Sequence, residues 1–222
     1  MIEVPILNIE GKEVGKFPVD EALLGTEVRP ALLKQAFVRH QANQRQGTVV
    51  TRDRGEIEGS TRKLYAQKGT GNARRGNLRT NVMKGGGVTF GKRPRDYRQG
   101  MPLKQRRLAR NNAILAKILS GELKLLEALT FAAPKTKEVA KVLKAVGAER
   151  SVLIATQGID RNTWLGGRNI AKAVIKPASD INAYDVASTR TMVITKAAFE
   201  DLLKTCTKST VKTEEKAAKA KG

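Results

Sequence analysis

Histidine and cysteine are almost missing from this sequence, with one of each, His40 and Cys206, in 222 residues. A single cysteine excludes an internal disulfide and a cysteine-based zinc site, and it fits a reducing compartment. A single histidine has no second ligand or nucleophile to serve. The acids are scattered, so no Ser/His/Asp or paired-carboxylate set can be assembled. Aromatic residues make up only 4% of the chain, too few for a platform on which successive single-stranded bases stack. No apolar run reaches membrane-spanning length. The opening MIEVPILNIEGKEVGKF has no basic region ahead of a long apolar stretch, and Glu3 and Glu10 are unlike a transit peptide. These gaps predict a soluble, cytoplasmic protein that is not an enzyme and carries no metal or cofactor.

Positive charge is what the chain has in excess. Lys and Arg number 42 against 21 acids, a formal net charge of +21. Such a balance implies nucleic acid, an anionic membrane surface or an acidic protein as partner. Hydrophobic residues at 40% still allow a real core. The charge is concentrated in Thr51 to Gly100, a stretch with no helix or strand pattern. Between Gly59 and Gly100 stand Arg62, Lys63, Lys68, Arg74, Arg75, Arg79, Lys84, Lys92, Arg93, Arg95 and Arg98, with Asp96 the one acid among nine glycines. Loops of this length are functional or disordered. Like charges packed this densely need a polyanion to neutralise them, which selects nucleic acid.

On either side the pattern is regular. Val4 to Ile9 and Glu13 to Val19 read as strands, and Pro30 to Gln46 as a helix with Leu33, Ala36, Phe37 and His40 on one face. Leu103 to Ser120 reads as a second long helix, with Leu108, Leu115 and Leu119 inward. Its first turns carry Lys104, Arg106, Arg107 and Arg110, where the helix dipole disfavours cations. Arg106, Arg110 and Lys117 share a stripe, readable as a solvated face or as a surface for an anionic partner. Strands at Leu123 to Leu126, Ser151 to Thr156, Ala173 to Ile175 and Thr191 to Thr195 then alternate with helices. The helices are Thr136 to Val146, one capped by Asp160 and running to about Ile170, Ala183 to Ala187, and Lys196 to Cys206. The expected fold is α/β, a mostly parallel sheet with helices on both faces, plus a long extended basic loop inserted after the first long helix. The expected domains are a discontinuous globular part, 1–50 with 101–206, the loop 51–100, and a disordered lysine-rich tail, 207–222. Cys206 reads as an inert core thiol.

Two glycine patterns invite an enzymatic reading and fail it. Gly86 to Arg93 (GGVTFGKR) resembles a phosphate-cradling loop, but Arg93 stands where Ser or Thr must hold Mg²⁺, and Pro94 follows where a helix should begin. Gly69-Thr70-Gly71 begins a dinucleotide fingerprint, but Arg74 stands at the third glycine and no buried strand precedes it. A DNA-architectural protein would use the same electrostatics, yet no helix-turn-helix, zinc finger or zipper is present.

QKGTGNARRG (Gln67 to Gly76), KGGGVTFGKRPRDY (Lys84 to Tyr97), KQRRLA (Lys104 to Ala109) and APKTK (Ala133 to Lys137) closely resemble the universal large-subunit ribosomal protein four family in its bacterial form. The resemblance covers all but the tail. It implies a structural component of the large subunit that binds large-subunit rRNA of the 23S type. It also implies an extended loop reaching and partly lining the peptide exit tunnel, with the large-subunit protein twenty-two beside it at a constriction and the nascent peptide passing its tip. Gln67, Lys68, Gly69, Thr70 and Gly71 would lie at that tip. Arg62, Lys63, Arg74, Arg75, Arg79, Lys84, Lys92, Arg93 and Arg95 would contact rRNA along the arms. Charge adds Lys68, Arg98, Lys104, Arg106, Arg107 and Arg110 as rRNA-binding candidates. The family usually has Pro-Trp where this chain has Leu64-Tyr65, and Arg where it has Asn72. With few large apolar residues, the loop is expected to order only against RNA.

Overall fold

β4 (Val152–Thr156) and β6 (Thr191–Thr195) are buried along their whole length, as near-continuous apolar strands must be when both faces of a sheet are covered. In the computed structural model, which describes residues 1–148 and 150–206, they lie side by side in a six-stranded sheet of order β2-β1-β3-β6-β4-β5. The other strands are β1 (Ile2–Leu7), β2 (Glu13–Val19), β3 (Leu123–Leu126) and β5 (Ala173–Pro177). Only β1 and β2 pair antiparallel; the remaining pairs are parallel. The described chain divides into two compact units, one of Met1–Gln41 with the residues from Gly100 onward, the other of Ala42–Gln99.

In the first unit the side chains alternate as a two-faced sheet requires. Leu123, Leu125, Leu153, Ala155, Met192 and Ile194 join one core. It is covered by α3 (Leu103–Leu119), α6 (Ala183–Ser188) and a last helix at 196–206 that brings Phe199, Leu202 and Cys206. Leu126, Val152, Ile154 and Val193 face a second core with Val139, Val142 and Leu143 of α4 (Thr136–Ala145). Helices therefore cover both faces, as the strand-helix alternation predicts. α5 (Arg161–Gly167) starts where expected, since Asp160 accepts from Asn162 N–H at 3.1 Å.

Several boundaries differ from the sequence reading, each for a local reason. β1 ends at Leu7 because Asn8 opens a turn, its side chain accepting from the N–H groups of Glu10 and Lys12. Ile9 is left exposed in that turn. α2 (Pro30–Asn43) stops three residues before Gln46, where Arg45 N–H turns back to Ala42 O. A short α1 (Glu21–Leu24) was not anticipated; Asp20 caps it and Gly25 ends it at φ +107°. In α3 the buried residues are Ala109, Asn111, Asn112, Ala113, Ile114, Leu115 and Ile118, whereas Leu119 is 60% exposed. Asn112 sits inside because its amide donates to Leu24 O at 3.1 Å.

His40 stacks on Tyr184 with ring centroids 4.2 Å apart, a packing role. Burial pushes the Cys206 thiol up, although Arg110 nearby opposes the shift. Among the described residues no helix is long and apolar enough to cross a membrane. The expected disordered tail, 207–222, lies outside the described residues.

Candidate nucleic-acid interface

The 42–99 unit carries fourteen cations, Arg45 through Arg98, against the four acids Asp53, Glu56, Glu58 and Asp96, a net +10 of the chain's +21. From residue 44 to 102 the backbone forms neither helix nor strand. Scattered backbone hydrogen bonds instead cross-link two antiparallel arms. Arg95 N–H reaches Gly47 O at 3.3 Å, Thr51 N–H reaches Lys92 O at 3.0 Å, Val88 N–H reaches Arg52 O at 3.0 Å and Leu64 N–H reaches Gly76 O at 3.0 Å. The 52–88 and 64–76 pairings are both symmetric about Thr70, so the reversal falls at Gly69-Thr70-Gly71. Gly69 and Gly71 have φ of +87° and +69° there, a conformation glycine adopts without strain. Close approach of the arms also needs glycine at Gly87, where any Cβ would collide with the backbone of Asp53 and Arg54.

Of the eleven cations singled out between Gly59 and Gly100, Arg62, Lys63, Lys68, Arg74, Lys84, Lys92, Arg93, Arg95 and Arg98 are exposed, and Arg75 and Arg79 are half-buried. They do not all present an idle charge. Arg93 is held by two carboxylates, donating to Glu56 at 2.6 Å and pairing with Asp53. Lys63 donates to Gln67 at 2.7 Å and to Arg75 O at 2.9 Å, beside Tyr65, whose hydroxyl donates to Ala73 O. Lys63 and Tyr65, with Ser60, Arg62, Leu64 and Leu78, line an open groove of about 670 Å³. At the other end of the unit Arg45 and Arg95 lie 3.7 and 4.4 Å from the Tyr97 ring centre. The hydrogen bond to Arg95 and the surrounding cations lower the Tyr97 phenol from its ordinary value.

In the α/β unit, Lys104, Arg106 and Arg107 are exposed on the first turns of α3. Arg110 is half-buried, donating to Asn111 Oδ1 at 3.3 Å. Lys117, placed on the same stripe by sequence, is not open to a partner. Its ammonium is sealed between Glu122 and Arg190 O, each at 2.7 Å. Sequence reasoning passed over Arg45, Arg52 and Arg54, all exposed; Arg45 precedes the basic stretch, and Asp53, Glu56 and Glu58 dilute the charge around Arg52 and Arg54. Of these acids, Asp53 and Glu56 hold Arg93.

The hydrogen bond from Arg93, reinforced by Asp53 N–H, holds the Glu56 carboxyl below its ordinary 4.5. A lowered carboxyl stabilises the clamp fully above 4.5 and loses that contribution as pH falls through the lowered value. Carboxyl NMR should therefore find Glu56 titrating below 4.5 in the parent and moving up toward 4.5, without fully reaching it while Asp53 N–H still donates, in Arg93→Ala. A parent midpoint at or above 4.5 would dissolve the clamp.

A regular α/β unit joined to a strongly cationic unit that is irregular beyond Asn43 fits the class of nucleic-acid-associated proteins. The comparison with known proteins makes that specific. The chain belongs to the ribosomal protein L4/L1 family, whose pattern matches residues 17–205. It is 43% identical over 201 residues to the large ribosomal subunit protein uL4 of Dehalococcoides mccartyi, covering 90% of this chain and 96% of that one. The protein of the same name from Rhodopirellula baltica is 40% identical over 201 residues, 90% of each chain. That from Brevibacillus brevis is 42% identical over 198 residues, 89% of this chain and 96% of its own. Members of this family are structural proteins, not enzymes.

Proposed function

We propose that this chain is a structural component of the large ribosomal subunit in the cytoplasm, and that its 42–99 unit binds large-subunit rRNA and partly lines the peptide exit tunnel. The observation that carries the rRNA reading is a net charge of +10 within the 42–99 unit, which beyond Asn43 forms neither helix nor strand. Irregular backbone with cations at intervals suits phosphates that follow no regular path, and it reads shape rather than sequence. The phosphate contacts are assigned to Arg62, Lys63, Arg74, Arg75, Arg79, Lys84, Lys92, Arg93, Arg95 and Arg98, with Lys104, Arg106, Arg107 and Arg110 contributing from α3. Cosedimentation of the tagged chain with large subunits in a lysate gradient tests the placement. A chain that remains at the top of the gradient refutes it.

The tunnel reading rests on Gln67 to Gly71. Five residues there hold one charge, Lys68, whereas the arms on both sides are studded with cations. A segment facing a water-filled passage has to be slender and mostly neutral, and a Gly-Thr-Gly reversal is both. Protein twenty-two is its proposed neighbour at the constriction, with the nascent peptide passing the tip. Deleting Gln67 to Asn72 leaves the Leu64–Gly76 hydrogen bond outside the cut. The deletion is therefore expected to incorporate into subunits nearly as well as the parent while changing the response of translation extracts to tunnel-binding inhibitors. Lys68→Glu should do the same, since one cation among fourteen costs little binding. Lost incorporation, or unchanged inhibitor response, removes the tip assignment.

A further inference from the structure

The most exposed large apolar side chain in the 42–99 unit is Phe90, with 99% of its surface open. Its backbone is equally unusual. φ is +51°, a left-handed conformation that a bulky residue avoids unless its surroundings impose it. The pairing of the arms shows what imposes it. Thr51 and Arg52 are adjacent on one arm, yet their hydrogen-bond partners, Lys92 and Val88, lie four residues apart on the other. Thr89, Phe90 and Gly91 are therefore looped out of the ribbon, in the manner by which a bulge re-aims a side chain. Both flanks of the bulge are fastened. The Thr89 hydroxyl accepts from the Asn81 amide, and Gly91 sits so close to Thr51 and Asp53 that a side chain there would collide with them. Just beyond it, Arg93 is gripped by Asp53 and Glu56.

We propose that Phe90 is a stacking residue for one unpaired nucleobase, and that the looped-out Thr89–Gly91 segment exists to present its ring. This deepens the rRNA reading and rests on it. The ring stands at the apex of a pinned bulge, with Lys92 two residues along and Arg52 at the pairing opposite, and both cations are exposed. Lys92 beside the ring argues against a protein partner, because lysine is depleted at protein interfaces. An RNA partner uses both elements: phosphates take the cations and an extruded base takes the aromatic face. A single ring also agrees with the 4% aromatic content, which denies the chain a continuous platform but not one anchored wedge.

The test uses the full chain and deproteinised large-subunit rRNA in filter binding, comparing the parent with Phe90→Ala, Phe90→Gly and Phe90→Trp. Phe90→Ala should weaken binding roughly 5- to 150-fold, the worth of one stacked base. Its salt dependence should stay at the parent's slope, because no cation is lost. Phe90→Gly relieves the backbone and still lacks the ring, so it should bind as weakly as Phe90→Ala. Phe90→Trp should bind within about threefold of the parent, its wider ring stacking at least as well. Its added fluorescence should be quenched by rRNA, with the parent's own Trp164 as control. Phe90→Ala or Phe90→Gly binding as tightly as the parent overturns the proposal. So does an unquenched indole at position 90. Were the parent itself to bind no rRNA, the rRNA reading would fall and the stack with it. A parent with full, salt-dependent binding beside an equally tight Phe90→Ala removes the stack alone.

Discussion

Phe199→Ala should lower the stability of the α/β unit by about 3–5 kcal/mol. Phe199 belongs to the last helix, 196–206, and is fully buried. Its ring meets Phe17 of β2 edge to face at 5.7 Å. The ring thus ties the C-terminal helix to the N-terminal hairpin, two parts of the chain far apart in sequence. Truncation removes the apolar area and leaves a cavity between elements that cannot close without moving the sheet edge, so both costs apply. Native domains are stable by only about 5–15 kcal/mol, and the loss is a large share of that. At about 2–4 °C per kcal/mol, the melting temperature should fall by roughly 6 °C or more. The contrast is Phe90→Ala, which removes the same side chain from full exposure and should stay within about 0.5 kcal/mol of the parent. Denaturant titration of both variants decides it. A loss under about 1 kcal/mol for Phe199→Ala would mean the last helix is not packed as described.

Which parts of this molecule can be read from sequence depends on whether the controlling interactions are local. SVLIAT and TMVIT are legible as covered strands because burial on both faces leaves only apolar choices at each position. Asp160 is legible as a cap because its partners lie two and three residues away. Leu119 misleads: it is a leucine in an amphipathic helix, but its phase on α3 turns it outward, and Ile114 and Ile118 carry the core instead. Asn112 cannot be read as a core residue at all, since the carbonyl its amide donates to belongs to Leu24. Lys117 looks like an open cation until Glu122 and Arg190 close over it.

The 42–99 unit follows the same rule. Its charge is a sum over residues, and sums need no structure. That Arg93 is clamped depends on Asp53 and Glu56, some forty residues away. That Phe90 is thrust outward depends on an arm pairing with no alternating pattern to betray it. Composition therefore reveals where the positive charge is concentrated, while the division of labour among its cations emerges only from the fold.

That division gives the largest expected effect on binding. Affinity of the full chain for deproteinised large-subunit rRNA should fall by roughly three orders of magnitude or more between about 50 and 200 mM salt, as when some ten cations release counterions from phosphates. The individual cations should not contribute equally. Arg106 and Arg107 are exposed on α3 and Arg95 in the basic unit; Arg106→Ala, Arg107→Ala and Arg95→Ala should each reduce the log–log slope by about 0.7–0.9. Arg93, by contrast, already donates to two carboxylates. An arginine whose charge is compensated inside the protein releases fewer counterions when it meets a phosphate. Arg93→Ala should therefore reduce the slope by less than Arg95→Ala. Asp53→Asn with Glu56→Gln frees Arg93 and should steepen the slope by up to the same 0.7–0.9. A parent slope near zero would refute the electrostatic account. Equal losses at Arg93 and Arg95 would show that the clamp opens whenever RNA binds.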